Sequence, residues 1–270
     1  MPREESNDPR VPGTLPPYLS VSQITTWLAC PRKYRFRYVD KREPESRSGN
    51  LAFGSAVHSA IEWWHNERIA GRVPELANAL RIFRADWTAQ VTDPLLDLEE
   101  RTPEELQAVG EALVTLFVER FANDPPPTVA EQRFEVVLRD PATGNLLPVP
   151  LVGVLDAVED GLCWELKTAA RKNHISDYSL QLAAYSYAVR ETTGVRPRIR
   201  VVQLVKTKVP KIEVEETMLS DREEAWFAEV AAEVYDAITR GAFPPNPSWM
   251  CPRCEYRGAC RGAMAMRAAA

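Results

Sequence analysis

The stretch that decides the fold is GVLDAVEDGLCWELK, residues 153–167. Apolar and polar residues alternate on both sides of a tight turn expected at residues 159–161, which predicts a β-hairpin. Since strand residues alternate between faces, Glu165 and Lys167 point the same way, about 7 Å apart. Asp156 lies on the first strand. The pattern therefore predicts one carboxylate on each strand and a lysine beside them.

The charged side chains of this hairpin allow two interpretations. Acids and a lysine within apolar strands are costly to bury unless they pair or bind a metal ion. A divalent cation would remove the repulsion between Asp156 and Glu165, and carboxylate oxygens suit Mg²⁺ or Mn²⁺. Lys167 could then orient a water or stabilise charge on a phosphate. A surface hairpin with an ordinary ion pair is the alternative, and the residues alone leave both open.

The rest of the chain predicts a mixed α/β (α+β) fold. Periodicity and capping signals predict helices at 20–38, 51–70, 75–91, 103–122, 177–192 and 221–240. Alternation predicts strands at 128–140, 147–160, 161–169, 198–206 and 211–218. The middle of the chain therefore runs helix, three strands, helix, strand. The sequence has no G-x4-G-K-[ST] loop, so no ATP motor is expected.

Composition indicates a soluble globular protein of 270 residues, with 45% apolar residues and a net charge of −5. No apolar run approaches the ~20 residues needed to cross a bilayer, so no membrane association is expected. Residues 1–18 are charged and proline-rich, which predicts a flexible tail rather than a signal peptide, and hence a cytoplasmic location. Residues 31–42 carry six basic residues against one acid, a pattern suited to nucleic-acid phosphates or to a solvated face.

Three cysteines lie close to the end of the chain, in CPRCEYRGAC, residues 251–260. Their C-x2-C-x5-C spacing has no histidine nearby, whereas metal and cluster sites normally take four protein ligands. The five cysteines of a reduced cytosolic protein are better explained as ligands plus a spare than as disulfides. Thiolate-only ligation suits an iron–sulfur cluster or zinc.

These motifs together resemble the PD-(D/E)XK nuclease superfamily, and within it the RecB-like branch. The D…ELK hairpin is similar to the family's metal-binding motif. Four further stretches match the branch in order, from about residue 19 to residue 260: LSVSQITTWLACPRKYRFRYV at 19–39, FGSAVHSAIE at 53–62, QLAAY at 181–185 and the terminal cysteines. The resemblance implies a restriction-endonuclease-like core at 126–218, inside a single domain spanning 19–262. Residues 19–125 would be mainly helical, residues 219–262 would hold a helix and the cysteines, and 263–270 would form a tail.

The resemblance also implies roles for individual residues. Asp156, Glu165, the Leu166 backbone carbonyl and the His58 imidazole would bind Mg²⁺ or Mn²⁺. Lys167 would be the catalytic lysine. Gln181 and Tyr185 would contact the substrate or shape the site, and the residues implied at the DNA backbone are Arg32, Lys33, Arg35 and Arg37. Leu155 stands where the superfamily's name has proline, and Ala157 stands where many relatives carry a basic residue.

The resemblance implies that Cys30 joins Cys251, Cys254 and Cys260 around a [4Fe–4S] cluster that links distant parts of the chain. The implied function is a Mg/Mn-dependent deoxyribonuclease, an exonuclease on single strands or DNA ends in repair or recombination. A CRISPR-associated exonuclease that trims spacer precursors is the alternative, so helicase or CRISPR adaptation proteins are candidate partners. A non-catalytic DNA-end binding subunit and a zinc-stabilised scaffold are alternatives from other classes.

Overall fold

The computed structural model describes residues 15–261, and within them the chain divides into two compact units. The first unit takes residues up to 46, residues 135–153 and residues from 221 onward; the second takes 47–134 and 154–220. The two predicted tails lie largely or wholly outside the described residues. The predicted domain boundaries stay a prediction.

The described residues contain seven α-helices and seven strands. The helices are α1 (Val21–Ala29), α2 (Pro31–Tyr34), α3 (Gly49–Ile69), α4 (Leu76–Val91), α5 (Pro103–Phe121), α6 (Ser179–Thr193) and α7 (Asp221–Thr239). The strands are β1 (Arg47–Ser48), β2 (Leu96–Asp97), β3 (Val129–Arg139), β4 (Leu146–Glu159), β5 (Leu162–Ala169), β6 (Arg198–Val205) and β7 (Lys211–Thr217). Short π- and 3-10-helical segments complete the set at Arg35–Val39, Ile175–Tyr178 and Cys251–Arg253.

Five strands form one sheet in the order β3-β4-β5-β6-β7, and β1 and β2 form a separate short parallel pair. β4 and β5 are antiparallel, β5 and β6 are parallel, and β6 and β7 are antiparallel. Along the chain, β3 leaves the second unit after Phe134 and β4 enters it at Val154. The helix α6 provides the crossover that a parallel β5–β6 pair requires. The predicted order of helix, three strands, helix, strand is therefore confirmed.

The decisive hairpin forms as its sequence predicts. Glu159 pairs with Leu162, which leaves Asp160 and Gly161 as a two-residue turn. Gly161 adopts a φ of 69°, a left-handed conformation that glycine takes without steric cost. This turn fixes the register, so that Ala157 faces Trp164 across the two strands.

One face of the sheet packs against α3, α4 and α5 in the second unit. Trp164 and Leu166 of β5 join an apolar cluster of aliphatic and aromatic side chains from these helices. The helix α5 begins with a capping box, in which Thr102 and Glu105 satisfy each other's backbone N–H groups. Burying one face in this way directs the alternate residues of β5 to the opposite face.

The predicted helix at 20–38 is wrong in one respect, because the structure breaks it at Cys30. Ser20 caps α1, accepting a hydrogen bond from the Gln23 amide at 3.2 Å. Cys30 is extended, with φ −162° and ψ 107°, and α2 starts at Pro31. A proline disfavours the helical conformation in the residue before it and fits the first position of a new helix. The break belongs to the first unit and turns Cys30 out of the helical repeat.

Candidate active site

The polar face of the hairpin lies in the second unit and brings together three of the predicted residues. Asp156 Oδ2 accepts a hydrogen bond from the Leu166 amide at 2.6 Å, across the β4–β5 pair. The Lys167 ammonium contacts Glu165 Oε1 on the same strand. Asp156 and Glu165 are also close enough that their charges interact. The predicted role of the Leu166 carbonyl stays a prediction, since the contact seen is made by its N–H.

Gln181 and Tyr185 extend this group from α6, where they lie one helical turn apart. The Gln181 carbonyl oxygen accepts from Lys167 Nζ at 2.8 Å. Its amide nitrogen donates to Glu165 Oε1 at 2.9 Å and to the Tyr185 hydroxyl at 2.7 Å. The Gln181 side chain thus bridges Lys167 and Glu165, which also contact each other directly.

Glu165 is the most deeply buried charge of the site, with 2% of its surface exposed. Burial, followed by the nearby Asp156 charge, raises its pKa to about 7 despite the opposing influence of Lys167. Its Oε2 atom is buried and has no hydrogen-bond partner. A buried acceptor without a partner is costly, so this oxygen is suited to receive a cation or a proton.

His58, on α3, contacts the other side of Asp156. Its Nδ1 lies 3.3 Å from Asp156 Oδ1. Although burial opposes a charge on the imidazole, the hydrogen bond to Asp156 and the charges of Asp156 and Glu165 raise the pKa of His58. Asp156 is therefore shared, with one oxygen facing His58 and the other bonded to the Leu166 amide.

Glu131 joins this site although the sequence did not single it out. Ligand atoms of His58, Glu131 and Asp156 all lie within 4.8 Å of one another. Burial, then the charges of Asp156 and Glu62, raises the pKa of Glu131. Its φ of 53° is unusual for a residue other than glycine and interrupts the regular alternation of β3. Strain of this kind is often associated with functional sites, and no sequence pattern announces it.

The residues present fit a divalent cation. They offer one imidazole and three carboxylates, and the Asp156 charge contributes to the raised pKa values of both Glu131 and Glu165. Oxygen-rich sets with one imidazole suit Mn²⁺ and Mg²⁺ better than thiophilic metals. The four predicted metal-binding positions and Glu131 therefore form one neighbourhood, with Asp156 at its centre.

The four predicted cluster cysteines lie in the first unit and line one cavity of about 220 Å³. Cys30 follows α1, while the other three come from residues 251–260. Among the described residues, no three cysteine sulfurs lie within 4.8 Å of one another. Four sulfurs around one zinc ion would be about 4 Å apart, because Zn–S bonds measure ~2.3 Å. As placed, the cysteine sulfurs of the described residues therefore do not form the compact set that one zinc ion would hold.

Backbone amides point at two of these sulfurs. Asn246 N–H donates to Cys30 Sγ at 3.5 Å, and Ser248 N–H donates to Cys251 Sγ at 3.2 Å. Such bonds stabilise thiolates and tune the potential of iron–sulfur clusters. The carboxylate of Glu45 accepts from the Gly258 and Ala259 amides at 2.9 and 3.0 Å, which anchors the helical segment 257–261 that carries the last of the four cysteines.

The four predicted DNA-contacting side chains follow Cys30 on α2 and the π-helical turn. Lys33 pairs with Glu255 at 2.7 Å, and the Arg32 guanidinium donates to the Phe243 carbonyl at 3.0 Å. Arg35 and Arg37 are exposed. The first pair therefore supports the cysteine segment, whereas the second pair faces solvent.

Cys163 is the remaining cysteine, and it lies in the second unit on β5. It is 1% exposed, and burial raises its pKa to about 11, so it behaves as a small apolar residue. His65, two helical turns after His58, is also buried, and the ring of Trp164 packs against it. In the part of the chain that the structure describes, no helix is both long and apolar enough to cross a membrane.

Comparison with known proteins agrees with this geometry. The family model of the PD-(D/E)XK nuclease superfamily matches residues 18–261. A crystal structure from Eubacterium rectale, described as a "putative exonuclease", has a TM-score of 0.59 to this chain at 17% identity. The match covers 88% of this chain and 87% of the other. At this identity the likeness shows a shared fold alone. The search of curated proteins returned no match.

A mixed five-stranded sheet whose central hairpin presents acids and a lysine defines a nuclease of the metal-dependent class. The chain belongs to the PD-(D/E)XK nuclease superfamily. The predicted restriction-endonuclease-like α/β fold is therefore confirmed, and so is the prediction of a nuclease at this level.

Proposed function

We propose that this protein is a RecB-like, Mg²⁺- or Mn²⁺-dependent deoxyribonuclease that degrades single-stranded DNA or DNA ends. The observation that carries the proposal is the position of Asp156, which lies between His58 and Glu131 on one side and the Leu166 amide on the other. A nucleic-acid phosphate and a cation are the groups that such an acidic, lysine-containing site would hold together.

His58, Glu131, Asp156 and Glu165 are the residues that would hold the cation. A bound divalent ion lowers the pKa of water and offsets charge on the phosphate during hydrolysis. Lys167, held by Gln181 at 2.8 Å, would orient the attacking water or contact a phosphate oxygen. Positioning by Gln181 matters because a small displacement of a reacting group reduces the rate strongly.

Tyr185 supports the same site from α6. Its pKa is raised well above the usual value by burial and by the Glu165 charge, so its hydroxyl stays protonated at neutral pH. The ring also contacts Phe134 of β3, with centroids 5.9 Å apart. Tyr185 would therefore keep Gln181 in place through its hydroxyl rather than exchange protons with substrate.

The first unit would hold a [4Fe–4S] cluster through Cys30, Cys251, Cys254 and Cys260. The shared cavity and the two N–H···S contacts support a group held by thiolates, and a set of four cysteines suits an iron–sulfur cluster. Arg35 and Arg37, exposed after Cys30, would contact the DNA backbone. Iron analysis and visible absorbance after anaerobic purification separate this assignment from a zinc scaffold.

The test is degradation of end-labelled DNA with Mg²⁺ or Mn²⁺, using linear single-stranded, linear duplex and circular substrates. Lys167→Ala is expected to lower kcat by at least a hundredfold, while the exposed Lys211→Ala is a matched control that should retain activity. Cleavage of linear but not circular DNA supports an exonuclease in repair or recombination. Preference for short duplexes with single-stranded overhangs would favour spacer trimming, a CRISPR role.

Two results would overturn the proposal. DNA binding without cleavage under any metal would indicate a non-catalytic DNA-end binding subunit, for instance of a helicase complex. Cleavage that survives unchanged in Lys167→Ala would place the chemistry at a different site.

A further inference from the structure

Gln203, on β6, is a buried amide that the proposed chemistry does not use. It is 0% exposed and lies in register with Lys167 on the neighbouring parallel strand. Its oxygen accepts from the Asn173 amide at 2.9 Å, and its nitrogen donates to the Asn173 carbonyl at 3.0 Å. Gln203 therefore binds both backbone groups of one residue, which fixes the loop between β5 and α6 in position and orientation.

Tyr178 connects this amide pair to Lys167. The Tyr178 hydroxyl donates to Gln203 Oε1 at 3.4 Å and accepts from Asn173 Nδ2 at 2.8 Å. Its ring centroid lies 5.7 Å from Lys167 Nζ, within the range of a cation–π contact. The phenol is thus held at its hydroxyl while its ring meets the ammonium.

The same residues set the start of α6. Tyr178 ends the 3-10 turn Ile175–Tyr178 and is the N-cap of α6. Gln181 lies in the first turn of that helix and accepts from Lys167 Nζ. Two of the contacts made by the Lys167 ammonium, the Tyr178 ring and the Gln181 oxygen, therefore depend on where this loop is held.

We propose that Gln203, Asn173 and Tyr178 form a positioning network that holds Lys167 in the geometry needed for phosphodiester hydrolysis. The proposal rests on the proposed nuclease function. Gln203 acts through the loop and never touches substrate. Loss of the Gln203 side chain should reduce kcat while leaving DNA affinity unchanged, because the network positions Lys167 and does not bind the DNA backbone.

The experiment compares Gln203→Leu with Ile199→Ala, a buried apolar position on the same strand and face. Gln203→Leu is expected to lower kcat about ten- to a hundredfold, the scale of small misplacements at an active site. KM, and DNA binding measured with Ca²⁺ in place of Mg²⁺, should stay within about twofold. Ile199→Ala should lower the melting temperature at least as much and keep its kcat. Amide hydrogen exchange in residues 170–178 should accelerate only in Gln203→Leu.

Tyr178, which is only partly buried, supplies variants that do not threaten folding. Tyr178→Phe keeps the ring over the ammonium and should lose less kcat than Tyr178→Leu. Tyr178→Phe and Gln203→Leu should be non-additive, since both act on one network. Unchanged kcat in Gln203→Leu, or an equal loss in Ile199→Ala, overturns the network while leaving the nuclease assignment intact. An inactive wild-type enzyme overturns the proposed function itself.

Discussion

His65 makes folding of the second unit sensitive to acid, and replacing it tests this directly. Its imidazole is 2% exposed, neither ring nitrogen has a hydrogen-bond partner, and the rings of Trp64, Phe117 and Trp164 surround it. Burial, then the charge of Arg68, lowers its pKa from 6.5 to about 3. The perturbation is His65→Phe, which keeps an aromatic ring and removes the titrating group.

The size of the effect follows from the two pKa values. Between pH 6.5 and pH 3 the unfolded chain binds a proton at His65 that the folded chain does not. Stability from this group is therefore fully present above pH 6.5 and decreases by about 1.4 kcal/mol per pH unit as the pH falls. At pH 4.5 the loss amounts to about 3 kcal/mol, a substantial part of the stability of an ordinary domain.

The assay is urea unfolding of wild type and His65→Phe at pH 7 and pH 4.5, followed by tryptophan fluorescence. The quantity compared is the change between the two pH values, so the effect of swapping rings at neutral pH cancels. We expect His65→Phe to lose about 3 kcal/mol less than wild type on acidification. Phe117→Leu, which perturbs the same cluster without a titrating group, should lose as much as wild type. Parallel pH profiles for wild type and His65→Phe would refute the reasoning.

Three other changes test separate parts of the structure. Glu131→Gln should raise the Mn²⁺ concentration for half-maximal cleavage about tenfold, as loss of one ligand or ligand partner does; an unchanged metal titration would exclude Glu131 from the site. Gly110→Ala, whose Cβ would lie 2.0 Å from the Phe83 ring, should destabilise by ~1–3 kcal/mol in urea unfolding, and a gain in stability would contradict the packing described. Cys260→Ala should lose iron, visible absorbance and thermal stability together, whereas Cys163→Ala should keep its iron; full iron content in Cys260→Ala would rule out its role as a ligand.

The hairpin could be predicted from sequence because its signals are local. Alternation and a turn containing Gly161 specify two strands, and one buried face then directs Glu165 and Lys167 to the other. The start of α5 is also signalled locally, because Thr102 and Glu105 have the spacing of a capping box. At both places the local sequence signal and the tertiary packing favour the same structure, so the local signal alone predicts it.

Glu131 could not be predicted, since its place in the site depends on a left-handed backbone within a strand. Only tertiary contacts maintain such a conformation, and these contacts produce no periodic pattern of apolar and polar residues in the sequence. Gln203 shows a related difficulty, because a glutamine in an apolar strand looks like an exception until its loop partner Asn173 is known. The break at Cys30 was signalled by Pro31, but the strong helical repeat around it concealed the signal.

The division into two units has a consequence for synthesis on the ribosome. The second unit is complete once residue 220 has emerged, whereas the first unit needs residues from 221 onward, including three of the four cysteines that share its cavity. The nascent chain would thus complete the unit that carries the candidate active site first. More than two hundred residues are synthesised after Cys30 before the next of these four cysteines, Cys251, is added. Binding of a group by all four cysteines would therefore have to wait until residue 260 has been synthesised.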